Sequence, residues 1–263
     1  MYSKHDISTD NRDLTLKEWP RKADSIAVFD NAYQPIILKW LCGRSLKDVT
    51  GIHIPAQSLI KGSYASAVLC DGCSFLVLVR TENGIEEHLF TSDSVISIRR
   101  HEILLNGQLR FSYMHDQKLN AVSVQYNTSQ SSIIEPLLSA ALGNSLQFDL
   151  HQASLTYPRP EKLFNDNYAL YNYAADGAQF KAMHSYRILA LRERKSLFRH
   201  NEPGAVLIAQ FNEGILAIVF RAEKQDVIEY FFKNDCVEED SRKSEIRFIH
   251  KPTSEILLEI RVA

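Results

Sequence analysis

Phe75-Leu76-Val77-Leu78-Val79-Arg80, then Glu82-Asn83-Gly84, then Ile85-Glu86-Glu87-His88-Leu89-Phe90: an apolar run, a turn and a charged run of strand length follow one another. The same succession returns nearer the C-terminus, as Leu216-Ala217-Ile218-Val219-Phe220-Arg221 and Val227-Ile228-Glu229-Tyr230-Phe231-Phe232. An aspartate follows each copy, Asp93 or Asp235. Working outward, Ala67-Val68-Leu69 is matched by Ala205-Val206-Leu207, and Leu109-Arg110-Phe111 by Ile246-Arg247-Phe248. Blocks in one order, about 140 residues apart, predict two domains of one kind, since the units of a solenoid are far shorter. A helix-like segment precedes each copy. Pro35 to Cys42 ends at Gly43, and Asn167 to Ala175 ends near Gly177. Proline at a first helical position and glycine past the end are the expected punctuation.

In the first copy, strand-like runs fall near 65–70, 74–80, 85–90, 94–99, 102–105, 109–114 and 119–126. They are short, rich in Val, Ile, Leu, Phe and Tyr, and separated by turn residues such as Asn83-Gly84 and Asn106-Gly107. Tight connections between seven such runs predict a meander that curls into a barrel or sandwich. Ser129 to Leu142 then places Ile133, Ile134, Leu137, Leu138 and Ala141 at helical spacing. Pro136 inside it predicts a kink, or a short loop before the helix.

Seven strands and a helix resemble the bacterial pleckstrin-homology-like and GRAM-like domains, small bent barrels closed by a C-terminal helix. The resemblance rests on Ser74 to Ile98: the apolar strand, the charged strand, Thr91-Ser92-Asp93-Ser94, and the strand Val95-Ile96-Ser97-Ile98. It spans Ala65 to Gly143 and, more loosely, Met183 to the end. It implies a mainly β (α+β) fold with two small, strongly bent β-barrels, the first closed by a C-terminal helix. The expected organisation is a flexible tail over 1–25, a first domain over 26–146, a linker over 147–160 and a second domain over 161–263. Matching Leu109–Tyr126 to Ile246–Ala263 leaves the second copy no closing helix. The helix near 166–176, the segment Ile26 to Leu41 or a partner subunit would then cover its open end.

Composition narrows the function. A net charge of −2 gives no global attraction for nucleic acid or for an anionic membrane. With 45% hydrophobic and 24% charged residues the chain can build ordinary cores. No apolar run approaches the roughly 20 residues that span a bilayer, and the N-terminal stretch lacks an apolar signal core. A cytoplasmic protein is expected. Cys70-Asp71-Gly72-Cys73 has the spacing of half a zinc site, but no second pair completes it and Asp-Gly is a hairpin turn signal. The cysteines are read as flanking a turn.

No phosphate loop, dinucleotide fingerprint, zinc-protease signature or nucleophile elbow is present. Glu86 and His88 would share a strand face, with Glu87 pointing the other way, and an exposed charged face explains them. His53, in Gly51-Ile52-His53-Ile54-Pro55, reads as a hydrogen-bonded structural group. No catalytic residue, metal ligand or cofactor site is assigned.

Binding is the expected role. The resemblance implies anion or headgroup contacts at Arg99, Arg100 and His101, read as a strand turn, and at Lys61; Arg192 to His200 form a second basic cluster. Trp40 and Leu41 on the first helix are candidates for a partner or membrane contact. The sequence thus predicts a non-enzymatic scaffold that binds a protein partner, or its own copy, through a barrel groove, a sheet edge or the open end of the second barrel. Peripheral binding to anionic membrane is the first alternative, and an enzyme without recognisable motif the second. Nucleic acid is not an expected partner.

Overall fold

The structure is a computed structural model that describes residues 18–57, 64–143, 162, 165, 167, 168, 170, 185–191, 204–210, 214–221, 226–233 and 235–263. Lys61, the cluster Arg192 to His200, the expected linker, most of the tail and most of the helix near 166–176 lie outside them.

The protein is mainly β, with three antiparallel sheets. The first takes β1 (Arg21–Lys22), β2 (Thr50–Ile54), β3 (Ser66–Cys70), β4 (Ser74–Thr81) and β5 (Gly84–Thr91) in sequential order. Arg21 and Lys22, within the stretch expected to be a tail, pair with His53 and Ile52. Then come β6 (Val95–Ile103), β7 (Asn106–His115) and β8 (Lys118–Asn127), and later β9 (Ser185–Ala190), β10 (Ala205–Gln210), β11 (Gly214–Arg221) and β12 (Asp226–Lys233). These form a seven-stranded sheet in the order β8-β7-β6-β12-β11-β10-β9. The third sheet is β13 (Val237–Arg242), β14 (Glu245–His250) and β15 (Ile256–Arg261). Among the described residues no sheet closes on itself by hydrogen bonds, where closed barrels were expected. β6 pairs with β12 of the second copy and not with β5, its neighbour in sequence.

Compact packing follows this exchange. The first unit holds the described chain to Ser94, then Leu104–Arg110 and the stretch from Val122. The second holds Val95–Ile103, Phe111–Ala121 and the described chain from Lys162 on.

In the first unit, the helix α1 (Gln34–Leu41) starts with Pro35 in its first turn and stops where Cys42 turns left-handed at φ 49°. Ile37 and Leu41 point into a core with Phe29, Tyr33, Ala67, Leu69, Leu76 and Leu78. Each fully buried side chain of this size contributes about 2 kcal/mol. The alternate residues Val68, Phe75, Val77 and Phe90 are buried too, so β3 and β4 are covered on both faces. This explains why they read as unbroken apolar runs. The helix α2 (Glu135–Ala141) carries Pro136 in its first turn and buries Leu137, Leu138 and Ala141. A tight turn over Thr128–Ile133 precedes it, where the sequence predicted a loop or kink.

In the second unit, Val206, Ile208, Ala217, Val219 and Phe232 pack with Phe248, Ile246 and Ile260. Phe232 and Phe248 stack with ring centres 4.6 Å apart. The last residues are tied down, since Ala263 donates its N–H to the Ala190 carbonyl and Leu191 bridges Val262.

Candidate functional site

The β6–β12 seam is built on opposite charges. Arg100 stands directly across from Glu229 and Arg99 across from Tyr230. Arg100 donates from Nε to Glu229 Oε2 at 2.5 Å, and both side chains are nearly closed to solvent. The Arg99 guanidinium lies 5.9 Å from the centre of the Tyr230 ring, within cation–π range. One pair along, His101 Nε2 meets Asp226 Oδ2 at 2.9 Å. Asp226, fully buried, also accepts from Arg221, whose Nε lies 2.7 Å from Oδ1. Burial alone would raise the Asp226 carboxyl. The bonds from Arg221 and His101 outweigh it, and the group sits below its ordinary value. A buried charge that keeps its partners holds; one that loses them is costly.

Arg99, Arg100 and His101 are therefore not borne on a turn. They lie within one continuous strand, β6, where two separate strands were expected. Arg100 is committed to Glu229, and His101 to Asp226. The turn comes later, at the apolar pair Leu104-Leu105, with Leu104 left-handed at φ 52°. Asn106-Gly107, read as the turn, opens β7. A Cβ at Gly107 would come within 2.4 Å of the Tyr126 ring, so the glycine serves close packing there.

The helix candidates divide. Leu41 is core. Trp40 is half-buried, and the Arg44 guanidinium lies over it at 4.8 Å. Arg44 also reaches Asp71 at 2.5 Å, and Asp71 Oδ1 accepts from the N–H groups of Cys73 and Ser74 to shape the β3–β4 turn. Cys70 and Cys73 flank that hairpin. Burial pushes the Cys70 thiol up to about 11, while Cys73 is exposed.

β5 is the counterpart of β12, and among the described residues no strand pairs with its outer edge. Each closes a hairpin of eight paired residues, Ser74–Thr81 with Gly84–Thr91 and Gly214–Arg221 with Asp226–Lys233. Matched end on end, Glu87 occupies the place of Glu229: Glu87 stands across from Leu78, Glu229 across from Ile218. β12 has β11 on one side and β6 on the other, whereas β5 ends its sheet. Glu86, Glu87 and Leu89 are exposed along it. Glu86 and His88 do share a face, with Oε2 and Nε2 3.7 Å apart. Sequence reasoning took Glu87 for solvated charge and missed Glu229, Asp226 and Arg221. The available signal was a matched pair of strands, one with Arg-Arg-His and one with acids at positions 226 and 229.

Comparison with known proteins finds no match among family models, curated proteins or solved structures. Among the described residues no helix is long and apolar enough to cross a membrane, and no cluster of His, Cys, Asp and Glu is placed to hold a metal ion.

Proposed function

We propose that this chain is a binding protein rather than an enzyme, and that it takes a protein partner by strand addition along the free edge of β5. The observation that carries this reading is the pair of equivalent glutamates. Glu229 has an arginine-bearing strand across its edge; among the described residues Glu87 has none there. A strand added beside β5 gains backbone hydrogen bonds, and its alternate side chains set specificity. By analogy with β6 the added strand is an apolar stretch followed by consecutive basic residues. Self-pairing is disfavoured: β5 carries Glu86 and Glu87, and the edge strand β13 carries Glu238, Glu239 and Asp240. Like charges directly opposite are destabilising.

Support for a tandem pleckstrin-homology-like organisation comes from strand order. Four strands, β2 to β5, then three, β6 to β8, then a helix; four strands again, β9 to β12, then three, β13 to β15.

The test is a peptide with the sequence of residues 95–103, titrated into the full chain while amide hydrogen exchange is followed. Expected is added protection confined to Gly84–Thr91, weakened about fivefold by Glu87→Lys. A peptide with both arginines changed to glutamate should give none. Equal protection by both peptides, or protection elsewhere only, would sink the reading.

A further inference from the structure

The first unit holds a cleft that differs in chemistry from the β5 edge, although Arg80 on its wall pairs with Ile85 of β5. A cleft of about 430 Å³ is lined by Asp30, His53, Pro55, Ala56, Tyr64, Ala65 and Arg80. Its volume is in the range of small-molecule pockets. Its parts come from separate elements. Asp30 stands before α1, where its carbonyl accepts from the Tyr33 and Gln34 N–H groups. His53 lies on β2, Arg80 near the end of β4, and Ala65 just ahead of β3. The Ala65 carbonyl gathers two donors, the Tyr33 hydroxyl and the Arg80 N–H, and so pins these strands at the cleft.

Three polar groups meet there without one another. His53 is over nine-tenths buried, and among the described residues its Nδ1 has no hydrogen-bond partner. Its ring packs edge-on against Phe29 at 6.1 Å, which fixes the imidazole and leaves that nitrogen unsatisfied. An unsatisfied buried acceptor or donor is costly, and each such group in a native fold calls for a reason. Asp30 and Arg80 line the same cleft with opposite charges, and among the described residues neither makes a side-chain ion pair. Charge from Asp30 reaches His53 and Tyr33, and charge from Arg80 reaches Tyr33, so the field across the cleft is bipolar. Pro55, Ala56 and Ala65 supply apolar wall.

We infer that this cleft binds a small zwitterion of the amino-acid type, with its carboxylate on Arg80, its ammonium on Asp30 and an aliphatic body against Pro55, Ala56 and Ala65. A guanidinium is suited to a carboxylate by its planar fork of donors. An anion alone would leave Asp30 unanswered beside it, and a cation alone would leave Arg80. A zwitterion meets both. The β5 edge reads a strand by backbone bonding and does not depend on this cleft.

The probe is L-leucine, with 4-methylpentanoate and 3-methylbutylamine as its two halves, each carrying the same aliphatic body and one charge. Ring signals of His53 are followed by NMR, together with the thermal midpoint of the full chain. Leucine should shift the His53 signals and raise the midpoint in a saturable way, and neither half should do so at equal concentration. Arg80→Gln and Asp30→Asn should each weaken leucine about tenfold. Arg80 is exposed, so its variant is expected to fold. Absence of any His53 response to leucine, or equal responses to both halves, overturns the assignment. So does undiminished leucine binding in a folded Arg80→Gln variant.

Discussion

β12 and β5 close equivalent hairpins of eight paired residues and share a glutamate at the same place, yet they live in different surroundings. Around Glu229 the chain has placed Arg100, and the pair is sealed from water. Around Glu87 the side chain is exposed and β5 ends its sheet. Charge at the edge of a sheet is a device against unwanted pairing. Charge inside a seam does the opposite and selects one strand from many. One residue type at one hairpin position serves both purposes, and the difference lies in what stands across from it.

The largest way to break this comparison is Glu229→Ala. It removes the buried carboxylate that Arg100 bonds, and should cost about 3 kcal/mol or more in denaturant unfolding. Glu87→Ala should change stability by less than about 0.5 kcal/mol. Replacing both members of the buried pair with apolar residues of similar volume should recover much of the loss. If the two single variants cost the same, the seam is not electrostatic.

Acid sharpens the contrast next. His53 and His250 are both held below 6.5, chiefly by burial. The unfolded chain then binds more protons than the folded one as pH drops below 6.5, so stability falls there until their folded values are passed. Asp226 is held below 3.8, and its contribution, present above that value, is lost as pH falls through its folded pKa. Unfolding followed against pH should therefore show two descending steps. Asp226→Asn should flatten the second and leave the first.

A smaller effect separates the edges dynamically. Amides of β12, bonded on both sides, should exchange more slowly than those of β5 in the free protein. Exchange as slow along the outer side of β5 as along β12 would mean that its edge is already occupied. The smallest expected effect is on Glu86→Gln, which removes half of a surface contact with His88 and should leave stability within a few tenths of a kcal/mol.

Local chemistry was legible in the sequence. Asp71-Gly72 and Asn83-Gly84 mark hairpins that exist, and Gly72 and Gly84 hold φ values of 98° and 131° that favour glycine. Pro35 and Pro136 mark helix starts. The repeat blocks were less secure. Matched by hairpin ends, Ile85–Phe90 fall on Val227–Phe232 as the sequence match had them, but Phe75 falls on Ile215 and not on Leu216. One residue of slip changes the face of every side chain in a strand. Apolar runs buried on both faces carry no alternation to forbid it.

Nor was the pairing of β6 with β12 legible. Arg100 and Glu229 are 129 positions apart, and each alone looks like solvated charge. His53 was read as a satisfied histidine, because nothing in Gly51-Ile52-His53-Ile54-Pro55 says whether a partner meets its ring. Asn106-Gly107 imitated a turn because a glycine needed for space looks the same as one needed for φ.

The separation of β6 from β12 also has a cost during biosynthesis. A ribosome adds on the order of 10 residues each second, so β6 emerges roughly ten seconds before the strand that will neutralise Arg100. For that interval a nascent chain carries an apolar, basic strand that β7 covers on one side and nothing yet covers on the other. A chaperone that favours such sequences would find its target there, and slow translation between positions 103 and 226 would lengthen the exposure.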